Sequence, residues 1–318
     1  MSILIETKKL KKYFKTSKGL LHAVDDVSLQ IEKGKTLGVV GESGCGKSTL
    51  GRVLLHLLDP TAGQIFFEGK DITNVSKKES RLLRQDMQMI FQDPYASLDP
   101  RMTVKKIISE PLFIYKTCKT KGEYEQRIKH IMQIVGLSEK VSNAYPHELD
   151  GGRRQRIGIG RALALQPKFI VCDEPVSALD VSIQAQILNL IQDLQEEFNL
   201  TYVFITHDLS VVKHISNDIC VMYLGVVVER CETKELFKSQ YHPYTQALLS
   251  AIPHTKLGRN DRRIILEGEL SSPINPGPGC RFASRCMHAK EVCLELTPIL
   301  EEVTQGHFAA CHFAQEFK

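Results

Sequence analysis

No apolar stretch in this chain of 318 residues approaches the ~18 consecutive residues that a membrane-crossing helix needs, so no span is predicted. The opening MSILIETKKLKKYF lacks the apolar core and small-residue cleavage site of a secretory signal. Charge of one sign is also scarce: 41 basic against 37 acidic residues leave a surplus of +4, too little to imply a nucleic-acid partner. Internal repeats and low-complexity tracts are missing as well. What is present, 42% hydrophobic and 25% charged residues, is an ordinary globular balance rather than a disordered or fibrous one. The expectation is a soluble cytosolic protein of about two units, whose membrane association comes through a partner.

The nine cysteines divide unevenly. Cys45, Cys118, Cys172, Cys220 and Cys231 are scattered, which in a cytosolic protein reads as reduced thiols and not as a disulfide frame. Cys280, Cys286, Cys293 and Cys311 crowd one terminal segment.

Residues 27–31 (VSLQI) alternate apolar and polar, the pattern of a half-buried strand. Short apolar runs at 36–41, 64–67, 87–91, 169–172, 202–206 and 219–224 predict further strands. Between them lie helical patterns, clearest at 182–198, where Ile183, Ile187, Leu190, Ile191 and Leu194 share a face. Strands alternating with helices point to an α/β core with a largely parallel sheet. The stretch 93–160 reads as a helical insertion. A composition change at PINPGPGC (273–280) sets a boundary near 250–260.

GESGCGKS (41–48) fits G-x-x-x-x-G-K-[ST] between a predicted strand and a predicted helix. Such glycines let backbone N–H groups turn onto phosphate oxygens, and the following helix adds its positive end. Gly41, Glu42, Ser43, Gly44, Cys45, Gly46, Lys47, Ser48 and Thr49 are therefore the candidate phosphate-binding residues, which the resemblance given below makes ATP-binding. Lys47 reaches the β- and γ-phosphates, the Ser48 hydroxyl ligates Mg²⁺, and Thr49 adds a phosphate contact. FIVCDE (169–174) is an apolar strand ending in two carboxylates. Asp173 at its tip can hold Mg²⁺ through its water shell, and Glu174 can polarise an attacking water.

The ordered set GESGCGKS, FQDP (91–94), DGGRRQR (150–156), FIVCDEP (169–175), SALD (177–180) and THD (206–208) resembles the nucleotide-binding subunit of an ABC transporter over about 1–250. SPINPGPGCRFASRC (272–286) resembles the extra C-terminal segment of the oligopeptide/dipeptide importer subfamily. The resemblance implies a P-loop NTPase (RecA-like) core with an antiparallel β edge and a helical subdomain at about 93–160. It also implies a small irregular Cys-rich region over 251–318. Gln92 matches the Q-loop glutamine that touches Mg²⁺ and the attacking water, and His207 the switch histidine at the γ-phosphate. Asp180 matches the D-loop aspartate. Phe14 matches the aromatic that stacks on adenine, with Tyr13 the runner-up; such stacking is worth ~1–3 kcal/mol.

One segment departs from the family pattern. Where the signature is written L-S-G-G-Q, residues 149–153 read LDGGR, so Asp150 replaces the serine and Arg153 the glutamine, beside matching Gly151 and Gly152. Gly160 stands where alanine is usual. In ABC dimers this segment faces the γ-phosphate of nucleotide held by the opposite subunit, and an ionised Asp150 cannot donate to it. Asp and Ser are comparable N-caps, so the helix starting at Gly151 should fold regardless. This asymmetry leads to the expectation of a second, different ATPase subunit and a heterodimer with one competent site.

The terminal cysteines are spaced C-x₅-C-x₆-C-x₁₇-C, a poor zinc match because structural sites pair ligands two to four residues apart. Four thiolates in an irregular segment suit an iron–sulfur cluster, with zinc and unliganded thiols as alternatives. The resembling subfamily carries this pattern, and some members hold a [4Fe–4S] cluster there.

The expected function is that of an ATPase subunit powering peptide uptake, peripheral at the cytoplasmic face of the inner membrane, with two transmembrane permeases. An extracytoplasmic solute-binding protein is an indirect partner, and no nucleic acid is involved. Nickel chelates are an alternative cargo, and a soluble ABC ATPase an alternative class. A P-loop GTPase would need an N-K-x-D motif, which is missing.

Overall fold

The computed structural model describes residues 2–252, 264–266, 268 and 272–317. The chain divides into two compact units, Met1–Asn74 with Phe204–Lys318, and Val75–Val203. The boundary expected near 250–260 falls largely outside the described residues.

In the first unit, strand Ile3–Thr16 lies between strands Gly19–Glu32 and Ala62–Phe67, antiparallel to both, with Lys70–Asp71 at the edge. Val27, Leu29 and Ile31 face the core while Ser28 and Gln30 face solvent, as the alternation predicts. In a second sheet, strand Thr36–Val40 runs parallel to Asp218–Tyr223. All five of its residues are buried, as a parallel strand covered on both faces requires. Antiparallel strands Val226–Glu232, His307–Ala309 and Glu301–Thr304 continue the sheet, so the terminal hairpin is built onto the same framework.

The buried Glu229 carboxylate fastens this edge. It accepts hydrogen bonds from the Tyr241 N–H (2.7 Å), the His242 N–H (3.1 Å) and His307 Nε2 (2.7 Å), which satisfies a charge that would otherwise be costly to bury. Phe282, from the terminal region, packs edge-on against Tyr223, its ring centroid 5.2 Å away. Tyr223 in turn lies 4.7 Å from the Tyr244 ring.

In the second unit, strands Met87–Ile90 and Phe169–Asp173 pair in parallel. Helices Lys77–Asp86 and Lys121–Ile134 begin with reciprocal capping boxes, Ser76 with Glu79 and Thr120 with Glu123. Helix Val181–Phe198 buries Ile187, Leu190, Ile191 and Leu194 of the stripe its period predicts and leaves Ile183 half-buried. Between 91 and 168 the described residues form helices and turns, with Val104–Tyr115, Lys121–Ile134 and Gly151–Leu163 the longest. Gly160 sits where these helices approach: a Cβ there would stand 3.2 Å from Ile131 Cγ2, a tight contact. No helix among the described residues is long and apolar enough to cross a membrane.

Candidate nucleotide site

The phosphate loop lies in the first unit, between strand Thr36–Val40 and helix Lys47–Leu54. Gly46 is the N-cap, at φ 104°, with no side chain bonded to the helix end. A Cβ on Gly46 would lie 1.9 Å from the Ala23 carbonyl oxygen, and one on Gly41 would lie 2.2 Å from that of Met222. Both positions therefore demand glycine. Ser43 and Gly44 are exposed at the loop tip, whereas Lys47 is only 4% exposed.

The Lys47 ammonium donates to the carbonyls of Gly41 (2.7 Å) and Glu42 (2.9 Å), so a buried cation sits inside the loop. Cys45 lies beneath it, with its Sγ 3.8 Å from Lys47 Nζ; burial pushes this thiol up and keeps it protonated. A buried ammonium beside a helix start whose N–H groups no side chain caps fits a polyphosphate. Ser48 and Thr49, both half-buried, open the helix. His207, also in this unit, follows strand Thr201–Thr206 and is exposed.

Phe14 and Tyr13 are adjacent on strand Ile3–Thr16, and both are half-buried. Lys12 Nζ stands 5.1 Å from the Phe14 ring centroid. Tyr13 stacks on His22 with centroids 3.9 Å apart, and its hydroxyl donates to Asp25. Phe14 is the less committed of the two rings.

In the second unit, Asp173 ends its strand only 2% exposed, and Glu174 follows at φ 46°. A left-handed conformation at a non-glycine residue costs of order 1 kcal/mol. The Glu174 carboxylate accepts a 3.0 Å hydrogen bond from Gln92 Nε2. Two residues 82 positions apart, each expected to handle the attacking water, are thus brought together.

Asp150 caps helix Gly151–Leu163 by accepting from the Arg153 N–H at 2.8 Å. Its other carboxylate oxygen lies 3.4 Å from Arg153 Nε. Gly151 and Gly152 form the first turn between them. Asp180 caps helix Val181–Phe198, accepting from the Ile183 N–H (3.1 Å) and the Ser182 hydroxyl (2.8 Å). These bonds, the backbone one foremost, hold its carboxyl below the usual range.

Three residues that the sequence did not single out touch this machinery within the first unit. The Tyr244 hydroxyl accepts the Glu42 N–H at 2.8 Å, and Arg285 Nη1 donates to the Glu42 carboxylate at 2.8 Å. Arg281 donates to Asp25, the carboxylate that also holds Tyr13 and His22. Only the density of loop residues around 273–286 could have hinted that this segment lies against another element.

The iron–sulfur expectation is corrected. Cys280, Cys286, Cys293 and Cys311 line one narrow cavity, walled also by Phe282 and Phe313. Among the described residues, however, no three His, Cys, Asp or Glu side chains are grouped so as to hold a metal ion. Burial also pushes the thiols of Cys280, Cys286 and Cys311 up, the last to about 11. With no such grouping, the [4Fe–4S] cluster is not supported.

Residues 24–177 match the family described as ABC transporter, and residues 228–293 match the oligopeptide/dipeptide transporter C-terminal region. The chain is 52% identical to the oligopeptide transport ATP-binding protein AppF of Bacillus subtilis, over 97% of each chain. It is 49% identical to the oligopeptide transport ATP-binding protein OppF of Haemophilus influenzae, over 98% of this chain and 94% of that one. Among solved structures it resembles the ATP-binding cassette MJ0796 in a dimeric post-hydrolysis state bound to ADP and Pi. That likeness has a TM-score of 0.67 and 29% identity, and covers 72% of this chain and 99% of the other.

These comparisons also correct the heterodimer expectation. The similar solved cassette MJ0796 is a dimer of one cassette, and a different second ATPase subunit is not supported. With family matches over 24–177 and 228–293 and near-full-length relatives at about half identity, the chain belongs to the ABC transporter family, as an ATP-hydrolysing subunit of its oligopeptide/dipeptide branch.

Proposed function

We propose that this chain powers peptide import at the cytoplasmic face of the cell membrane, as a peripheral ATPase docked on two membrane-embedded permeases. Lys47 holds the β- and γ-phosphates of ATP while the backbone of 41–46 wraps them. Ser48, Asp173 and Gln92 would hold the accompanying Mg²⁺, which neutralises charge on the phosphate oxygens. Glu174 orients the attacking water, Gln92 steadies Glu174, and His207 approaches the γ-phosphate. Phe14 or Tyr13 stacks on the base.

Phosphoryl transfer asks a protein for positioning and charge compensation more than for covalent steps, and this residue set supplies both. Two cassettes close on nucleotide, each offering the segment from Asp150 to Arg153 to the other, with Asp180 near the dimer contact. ATP drives closure only to the extent that it binds the closed arrangement better. Cargo is selected by the permeases and an extracytoplasmic binding protein.

The observation that carries this reading is the 3.0 Å hydrogen bond from Gln92 to Glu174. Glu174→Gln should abolish ATP turnover in the reconstituted transporter while ATP binding persists. Turnover within about tenfold of the parent would refute the assignment of Glu174.

A further inference from the structure

We infer that the C-terminal region positions the phosphate loop through the Arg285–Glu42 ion pair, which makes Arg285 a positioning residue for ATP binding. The inference rests on the reading of 41–48 as the ATP site. Glu42, second residue of that loop, is held from three directions. Lys47 Nζ donates to its carbonyl at 2.9 Å, its N–H donates to the Tyr244 hydroxyl at 2.8 Å, and its carboxylate accepts from Arg285 Nη1 at 2.8 Å. The Arg285 side chain is only 9% exposed and that of Glu42 24%, so water does little to screen the pair.

Arg285 is held in place by the turn that carries it. The Cys280 N–H donates to the Cys293 carbonyl at 2.7 Å and the Ala283 N–H to the Cys280 carbonyl at 3.0 Å. Phe282 packs against both the Tyr223 and Tyr244 rings. Four residues before Arg285, Arg281 donates to Asp25 and to the Leu224 carbonyl, so the same turn is pinned a second time, beside the ring pair Tyr13 and His22.

A carboxylate within a loop that wraps phosphates works against the ligand by like-charge repulsion. Arg285 neutralises it and turns it toward the C-terminal region. Without that guanidinium, the Glu42 charge remains beside the loop and the loop loses one of its three supports. The water-handling pair Gln92–Glu174 is untouched, so the loss falls on binding and not on the chemical step.

The test is ATP turnover against MgATP concentration for the full transporter in proteoliposomes, with thermal midpoints measured alongside. Arg285→Gln should raise KM about tenfold, a size typical of coupled contacting residues, with kcat within about twofold. Adding Glu42→Gln should recover only the share of that loss due to the repelling charge, because the support stays missing. An unchanged KM in Arg285→Gln, or a double variant restored fully to the parent KM, overturns the inference. Should Arg285→Gln fail to fold, the exchanged pair Arg285→Glu with Glu42→Arg decides: a recovered KM supports the brace and an unrecovered one overturns it. Lys47→Ala separates the two levels. Full turnover in that variant sinks the ATP-site reading itself, whereas its loss beside a normal Arg285→Gln sinks the brace alone.

Discussion

Replacing Asp150 with serine removes one negative charge from the start of helix Gly151–Leu163 while keeping a side chain able to cap it. The folding cost should be small. Serine and aspartate cap comparably, within a few tenths of a kcal/mol. The ion pair with Arg153, its side chains 60% and 55% exposed, is worth well under about 1 kcal/mol after solvent screening. The effect on nucleotide is larger. A carboxylate ~4 Å from a γ-phosphate charge is repelled by about 4 kcal/mol at an effective dielectric near 20. Arg153 and solvent reduce that to roughly 1–2 kcal/mol, or about 5- to 30-fold in an equilibrium or rate. Both composite sites of a dimer of this cassette contain Asp150, so the gain should appear at each. The assay is ATP turnover of the reconstituted transporter, with the thermal midpoint as control. Asp150→Ser should raise kcat/KM by that factor and leave the midpoint within a few degrees. Unchanged kinetics with an unchanged midpoint would refute the view that this carboxylate faces nucleotide.

Gly46→Ala would set a Cβ 1.9 Å from the Ala23 carbonyl and force a side chain into φ 104°. It should cost more than about 2 kcal/mol and abolish binding of a fluorescent ATP analogue; retained binding would show that the loop relaxes. His242 is buried, its Nδ1 accepting the Tyr244 N–H at 3.1 Å, and burial pushes its imidazole down to about 3. The unfolded chain takes up that proton near pH 6.5, so stability is full above 6.5 and falls toward pH 3 by up to about 1.4 kcal/mol per unit. Unfolding free energies from urea titrations at pH 7 and pH 5 should differ by up to about 2 kcal/mol in the parent and much less in His242→Gln; equal pH dependence in the two would contradict this.

Much of the core was legible because its period is undisturbed. The run TLGVV folds as a buried parallel strand, and the stripe Ile187, Leu190, Ile191 and Leu194 is buried on one helix face. Strand Ile3–Thr16 was not legible. Leu4, Ile5, Thr7 and Leu10 are buried, but register shifts between Thr7 and Leu10 and a left-handed Lys9 at φ 47° break the period of two among the lysines. The capping role of Asp150 could be read from residue type, because a cap acts over three residues. Arg285 and Glu42 are 243 residues apart, and opposite charges at that distance say nothing until the fold joins them. The terminal cysteines show the opposite failure: crowding in sequence brought them to one cavity but did not arrange them as a ligand set.

The most direct measurement is peptide accumulation in proteoliposomes containing this chain with its permeases and binding protein, with ATP on the cassette side. The account predicts uptake against a gradient that needs hydrolysable ATP and disappears with Lys47→Ala. Equal accumulation with a non-hydrolysable analogue, or with Lys47→Ala, would contradict it.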